Sequence, residues 1–343
     1  MYYIIKIYDC HHKNQIFFLL TLKKWEENSI ISLVNFIEEI KMLSRITAVI
    51  MAIVSFISGF GPLLTTESEV LYDVEYGKYK RQLVDVVFPA EYEQEQGIIL
   101  YIHGGGWISG KKTSFTKRAI TASKKYNCIT ASLNYRFASD KVDCNDILDD
   151  IDKALSKIRT LAEMRGIKAD KVMLVGYSAG AHLSLLYAYT RKETASVKPV
   201  AVVSYSGPAD LTSDEFISYN AFGDEDFMLE IVSDLIGENV TSSNFSKKKS
   251  KILKISPVSY VSPFCVPTLV VQGRKDAIVP VEDTRAFVEK LGQYGVVHEY
   301  FEFRNSGHKL NSDPLDFAQS EVVFESYVNE YLKQNNSLLI ISA

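Results

Sequence analysis

The sequence has few cysteines and no excess of positive charge. Its four cysteines, Cys10, Cys128, Cys144 and Cys265, are widely spaced and form no C-x-x-C or Cys/His cluster. This spacing predicts neither a disulfide framework nor a zinc site, and we expect no metal and no other cofactor. The formal net charge of −4 argues against the basic surface that nucleic acids require, so we expect no nucleic-acid partner.

Charge is absent altogether between residues 46 and 64, a run of mainly Ile, Val, Ala, Phe and Leu that follows Lys41 and Arg45. The run just reaches the length that spans a bilayer. Three interpretations stay open: a signal peptide that begins at Met42, although no clean A-x-A cleavage site is visible, a membrane anchor, or a buried helix. Because nothing polar interrupts the run to give an amphipathic face, it favours an exported or anchored, extracytoplasmic protein. A core helix would leave the protein cytoplasmic.

Apolar strand patterns alternate with helical patterns along most of the remaining chain. Two strands at residues 70–76 and 81–88 predict an antiparallel hairpin at a sheet edge. The later runs predict strands at residues 97–103, 128–135, 172–175, 200–205, 268–272 and 297–303, and helices at residues 114–126, 143–165, 179–191, 281–291 and 314–332. The pattern predicts an α/β fold, with a mostly parallel central sheet and helices on both faces. The rhythm fails at residues 208–256, which are mostly polar with short helical pieces and predict an inserted cap segment.

A Gly-x-Ser-x-Gly sequence connects one of these strands to the next helix. Ser178 lies between Gly176 and Gly180, after an apolar run and before a segment rich in Ala and Leu. A strand, sharp turn and helix in this order raise the central hydroxyl to the carboxyl end of the strand. The N–H groups of the helix N-terminus then lie directly behind it, which is a suitable position for a nucleophile.

Two residues in later loops have the types that would activate such a serine. A serine hydroxyl is a weak nucleophile and needs a base, and His308 follows a predicted strand near the C-terminus. The base in turn needs a carboxylate to hold its tautomer, and Asp276 follows the predicted strand at 268–272. Glu282 and Asp283 are weaker candidates because they fall within the next predicted helix.

A run of glycines supplies candidate donors for a developing negative charge. His103 is followed by Gly104, Gly105, Gly106 and Trp107, directly after a predicted buried strand. Glycines allow backbone N–H groups to face a ligand without interference from Cβ atoms. A run of this type forms the oxyanion loop of serine hydrolases, together with the N–H that follows the nucleophile.

These four sites, in this order, resemble those of the α/β-hydrolase superfamily. The closest resemblance is to the carboxylesterases and lipases of the hormone-sensitive-lipase-like group and to the bacterial feruloyl and acetyl esterases near it, over residues 70–332. Many members of the first group have Asp immediately before the serine, whereas this chain has Tyr177, which favours the second group. The resemblance implies Ser178 as nucleophile, Asp276 and His308 as its partners, and Gly104, Gly105 and Ala179 as oxyanion donors.

The predicted function is therefore serine-dependent hydrolysis of carboxylic esters through an acyl-enzyme, on short-chain or carbohydrate-linked substrates of the acetyl or feruloyl type. Trp107 and Tyr177 are predicted to line the substrate pocket. A prolyl-oligopeptidase-like serine peptidase and a non-catalytic binding module are the alternatives. The expected segments are residues 1–41 without an assigned role, a signal peptide or anchor at 42–65, a catalytic domain at 66–334 and a tail at 335–343. The oligomeric state stays open.

Overall fold

The computed structural model describes residues 68–218 and 225–333, which form one eight-stranded sheet flanked by helices. The strands are β1 (Glu69–Glu75), β2 (Leu83–Phe88), β3 (Ile98–Ile102), β4 (Ile129–Leu133), β5 (Lys171–Tyr177), β6 (Lys198–Tyr205), β7 (Thr268–Gly273) and β8 (His298–Phe303). The helices are α1 (Thr113–Tyr126), α2 (Cys144–Glu163), α3 (Ala179–Thr190), α4 (Asp214–Ser218), α5 (Glu225–Ile236), α6 (Phe245–Ile252), α7 (Val281–Gln293) and α8 (Pro314–Tyr327). Short 3-10 turns at Leu253–Ile255 and Pro257–Tyr260 follow α6, and a π-helical turn at Val328–Leu332 extends α8.

The strands lie in the order β1-β2-β4-β3-β5-β6-β7-β8. Strand β1 pairs with β2 in the antiparallel sense, so the predicted hairpin at the sheet edge is confirmed. Strand β2 is also antiparallel to β4, and all strands from β4 to β8 pair in parallel. In a parallel sheet the carboxyl ends of the strands share one edge, and the loops that follow β3, β5, β7 and β8 therefore open on the same side.

Both faces of the sheet are covered, as strand β3 illustrates. Its five residues are fully buried, with Ile98, Leu100 and Ile102 packed in the core on one face and Ile99 and Tyr101 in the core on the other. Helices α2, α3 and α7 contribute to the first core, and α1 and α8 to the second. The predicted α/β fold, mostly parallel with helices on both faces, is confirmed.

The segment between β6 and β7 carries the helices α4, α5 and α6, which we call the cap. The sequence pattern predicts a mostly polar stretch here, but α5 is apolar on the side that faces the core. Its buried residues include Leu229, Val232 and Leu235, which join the core beside α2 and α3. The cap is therefore packed onto the domain by its own hydrophobic face, because burying these side chains removes apolar surface from water.

The residues near the two termini lie outside the described part of the chain. This applies to the segment at 1–41, to the signal peptide or anchor at 42–65 with its uncharged run at 46–64, and to the tail at 335–343, whose interpretations stay predictions. Within residues 68–218 and 225–333, no helix combines the length and apolar character that a membrane span requires.

Candidate active site

Ser178 occupies a strained turn between β5 and α3. Its backbone has φ 54° and ψ −124°, a conformation that residues other than glycine rarely adopt. Strained backbone of this kind is found mostly at functional sites. A Cβ at Gly176 would lie 2.2 Å from the carbonyl oxygen of Gly180, and a Cβ at Gly180 would lie 2.2 Å from that of Ile102. Gly180 is therefore required for the turn to pack against the end of β3, and Gly176 for the strand to pass directly into α3.

The glycine run after β3 lies directly against this serine. A Cβ at Gly104 would lie 2.9 Å from the Cβ of Ser178. Gly105 and Gly106 then have φ values of 116° and 58°, which cost little for glycine. Trp107 has φ 61°, a conformation that is strained for a bulky residue. In the described part of the chain, no protein acceptor takes the N–H of Gly104, Gly105 or Ala179. These donors are left for a ligand.

His103 holds this loop by its backbone. Its Nδ1 lies 2.7 Å from the carbonyl oxygen of Gly104, to which it donates, and its ring stacks on Tyr135 at 4.4 Å. Burial lowers the pKa of His103 to about 4, so the ring is neutral near pH 7. Because the C=O and N–H of a trans peptide point in opposite directions, fixing the Gly104 carbonyl also fixes the N–H of Gly105.

Arg81, in the turn between β1 and β2, braces the same loop from outside. Its guanidinium donates to the carbonyl oxygens of Tyr135 at 2.9 Å and Gly110 at 3.1 Å. It also lies 3.6 Å from the ring centre of Phe137, within cation–π range. The antiparallel hairpin at the edge of the sheet therefore contributes to the rigidity of the glycine loop, a role that the sequence pattern did not indicate.

Trp107 is anchored by a buried histidine on the helix that follows the serine. The Trp107 Nε1 donates to Nδ1 of His182 at 3.1 Å, and Nε2 of His182 donates to the carbonyl oxygen of Ile255 at 2.7 Å. Burial lowers the pKa of His182 to about 4, which keeps the neutral ring that this pair of bonds needs. One side chain thus connects the glycine loop, helix α3 and the end of the cap.

Asp276 and His308, the predicted acid and base, lie within hydrogen-bond distance of each other. The His308 Nδ1 lies 2.8 Å from Oδ2 of Asp276, and Asp276 is 2% exposed. The other carboxylate oxygen accepts the backbone N–H groups of Ile278 at 2.8 Å and Val279 at 3.0 Å. Such bonds hold the carboxylate in a single orientation toward the imidazole.

The loop of His308 is tied to the serine turn. The His308 carbonyl accepts the hydroxyl of Tyr177 at 2.8 Å and that of Ser206 at 3.1 Å. Because Tyr177 precedes Ser178, this bond connects the two loops next to the reacting groups. The weaker acid candidates lie elsewhere: Asp283 accepts from Ser213 at 2.9 Å, and Glu282 pairs with Arg285 on the same helix.

A cavity of about 530 Å³ lies in front of these groups and is lined by Ser178, His308, Gly105, Trp107 and Tyr177, among others. The structure therefore brings most of the predicted site residues to one cavity. Gly104 and Ala179 adjoin it as neighbours of Gly105 and Ser178, and Asp276 lies behind His308. Sequence reasoning did not identify the residues that the cap and the loop after Asp276 add to the wall.

A sheet with this strand order, with polar loops after β5, β7 and β8, defines an α/β hydrolase by fold. More narrowly, the family model BD-FAE matches residues 84–291. The chain belongs to the BD-FAE family.

Curated relatives are about a quarter identical to this chain over the aligned residues. The probable carboxylic ester hydrolase LipM of Mycobacterium tuberculosis is 27% identical over 238 residues, which cover 64% of this chain and 51% of LipM. Esterase LipC of the same organism is 25% identical over 257 residues, covering 72% of this chain and 61% of LipC. A non-reducing polyketide synthase of Stereocaulon alpinum is 27% identical, with 11% of its length covered. The chain thus spans about three fifths or less of the relatives named here.

Solved structures agree in fold. Esterase B of Lactobacillus rhamnosus superposes with a TM-score of 0.63 at 16% identity, covering 85% of this chain and 96% of that one. A truncated carbohydrate esterase from gut microbiota gives 0.61 at 17% identity, with 77% and 98% covered.

Proposed function

We propose that this protein hydrolyses carboxylic esters, of short-chain or carbohydrate-linked acetyl and feruloyl type, through a covalent acyl-enzyme on Ser178. The observation that carries the proposal is the 2.8 Å pair of His308 and Asp276, whose imidazole faces the cavity that also holds the Ser178 hydroxyl. Membership of the BD-FAE family and the names of the esterase relatives support the same reaction.

The proposed chemistry assigns one task to each group. The Ser178 Oγ attacks the ester carbonyl carbon while Nε2 of His308 takes its proton, and Asp276 stabilises the imidazolium. The oxyanion that forms accepts from the free N–H groups of Gly104 or Gly105 and Ala179. His308 then returns the proton to the leaving alkoxide, and the alcohol departs. In the second half, His308 takes a proton from water, whose oxygen attacks the acyl carbon of the acyl-enzyme. His308 then gives that proton to the departing Ser178 Oγ, which releases the acid and restores the free enzyme.

A comparison of two chromogenic substrates tests this function. We expect the purified protein to hydrolyse p-nitrophenyl acetate and to leave a peptide p-nitroanilide intact, because the ester has the better leaving group and its alcohol needs no extended peptide groove. Turnover of the anilide at a comparable rate would favour the peptidase interpretation. Turnover of neither substrate would favour a binding module on the same fold.

Replacement of Gly104 by alanine is expected to lower kcat for p-nitrophenyl esters by about 10²-fold, the cost of misplacing an oxyanion donor. The new Cβ would lie 2.7 Å from the Tyr177 carbonyl oxygen and 2.9 Å from the Ser178 Cβ, so the loop must move. Gly292→Ala in α7 is the matched control, since its Cβ would meet only the His298 ring at 3.6 Å. An unchanged kcat in Gly104→Ala would contradict the proposed donor role of the loop.

A further inference from the structure

The wall of the cavity is apolar and comes from three separate parts of the chain. Ile108 follows the glycine loop, Ile278 and Val279 follow Asp276, and the remainder comes from the cap. The cap residues that line it are Phe216 on α4 and Phe227, Met228 and Ile231 on α5. We call the part of the cavity bounded by these seven side chains the acyl pocket.

Among the described residues that line the cavity, the polar side chains other than Lys309 are already engaged. The Tyr177 hydroxyl donates to the carbonyl oxygen of His308 at 2.8 Å, and the Ser109 hydroxyl donates to that of Gly105 at 2.7 Å. Ser178 and His308 are committed to the reaction, and Lys309 is exposed. The acyl part of a substrate therefore meets carbon atoms on the seven residues of this wall.

This wall distinguishes between acyl groups of different chemistry. A feruloyl group carries a phenolic hydroxyl and a methoxy oxygen, and burying such groups without partners is unfavourable. An acetyl group needs no polar partner, but it leaves most of a 530 Å³ cavity unfilled and most of the apolar wall without contact. A linear alkyl chain has no polar group that needs a partner, and it is long enough to contact the apolar wall.

Three apolar side chains of helix α5 lie on the side of the helix that faces the pocket. Phe227, Met228 and Ile231 recur at spacings of three and four residues, which places them on one face of the helix. Glu230 on the same helix is exposed and does not line the cavity. The cap therefore supplies a continuous apolar stripe over Ser178.

We infer that the acyl pocket selects esters of linear aliphatic acids of medium length, such as hexanoate, over both acetyl and feruloyl esters. The inference rests on the proposed ester hydrolysis at Ser178, and it makes linear acyl chains, rather than acetyl or feruloyl groups, the preferred substrates. We assign Met228 and Ile231, two of the four cap side chains in the wall, as specificity-determining residues, because both are buried on α5 and line the cavity.

A series of p-nitrophenyl esters from acetyl to dodecanoyl, with a feruloyl ester, tests the inference. Each methylene that enters the pocket should raise kcat/KM on the order of fourfold. Hexanoyl should therefore exceed acetyl by at least about tenfold, with the rate falling again once the chain outgrows the pocket. A feruloyl ester that matches or exceeds hexanoyl, or equal rates for acetyl and hexanoyl, would overturn the inference.

Two variants, one that enlarges a cap side chain and one that shortens another, test whether the cap sets this preference for acyl length. Ile231→Trp should lower the hexanoyl-to-acetyl ratio of kcat/KM by at least about tenfold, while Met228→Ala should move the optimum to longer chains. Glu230→Ala is the control on the exposed face and should keep the wild-type profile. An unchanged profile in both wall variants, with circular dichroism confirming that they fold, would overturn the role of the cap. Failure of the proposed function itself is distinguished by turnover that persists in Ser178→Ala, or by no turnover of any ester.

Discussion

Replacement of Ser178 by alanine is expected to lower kcat for p-nitrophenyl butyrate by about 10⁵ to 10⁶-fold, the cost of removing the nucleophile of a serine triad. Without Oγ no acyl-enzyme forms, and only the binding groups and the oxyanion donors remain. The backbone at this position has φ 54°, and alanine tolerates it no worse than serine does. The fold should therefore survive the change.

The control for this variant is a serine on α3, the helix that follows Ser178. Ser184 is buried and donates to the carbonyl oxygen of Gly180 at 2.7 Å, so Ser184→Ala removes a buried hydroxyl without touching the cavity. We expect it to retain kcat within about threefold, since a single lost helix bond of this type costs little. Retention of more than about 1% of activity in Ser178→Ala would contradict the nucleophile assignment. A p-nitrophenyl phosphonate should add the mass of its phosphonyl group to the wild type, with release of p-nitrophenol, but not to that variant.

Replacement of Asp276 by asparagine is expected to lower kcat by about 10⁴-fold with a small change in KM. The amide oxygen can keep the bonds from the Ile278 and Val279 N–H groups, which both go to Oδ1. The amide nitrogen then replaces Oδ2, which accepts from His308 Nδ1 and Gln272 Nε2. Facing a donor, His308 must turn Nδ1 into an acceptor and protonate Nε2, and Nε2 can no longer take the serine proton.

Asp283→Asn is the matched control for this variant. Asp283 lies on the next helix, its Oδ1 accepts from Ser213, and burial raises its pKa to about 6. Since it does not pair with His308, its amide should leave kcat near the wild-type value. A large loss in Asp283→Asn together with a small loss in Asp276→Asn would reverse the assignment of the acid. Thermal unfolding of both variants separates a catalytic loss from a loss of folding.

Features of the site that depend on neighbouring residues were predictable from the sequence, whereas contacts between distant segments were not. The strained turn at Ser178 was predictable because glycines at 176 and 180 leave few alternatives for a strand that passes directly into a helix. Asp276 and His308 were predictable as partners because each follows a strand that ends at the same edge of the sheet. The anchoring of Trp107 by His182 was not predictable, since the two residues lie 75 positions apart and no periodic pattern connects them.

The position of the cap over the serine was likewise not predictable from the sequence. Its sequence indicates helical pieces, and the spacing of Met228 and Ile231 indicates an apolar face on α5, but spacing does not say what that face covers. The structure places it over the serine cavity rather than wholly in the core. Arg81 is a second example, because its bonds to the loop at Gly110 depend on how the edge hairpin folds back.

The sequence by itself determined the layered α/β architecture and the loops that carry the reactive side chains. Hydrophobic periodicity and glycine positions act over a few residues, and both are legible along the chain. Only the tertiary structure decided the composition of the acyl pocket and the bonds that hold the glycine loop. Those contacts join segments that are distant in the chain, and they exist only after the sheet has brought the segments together.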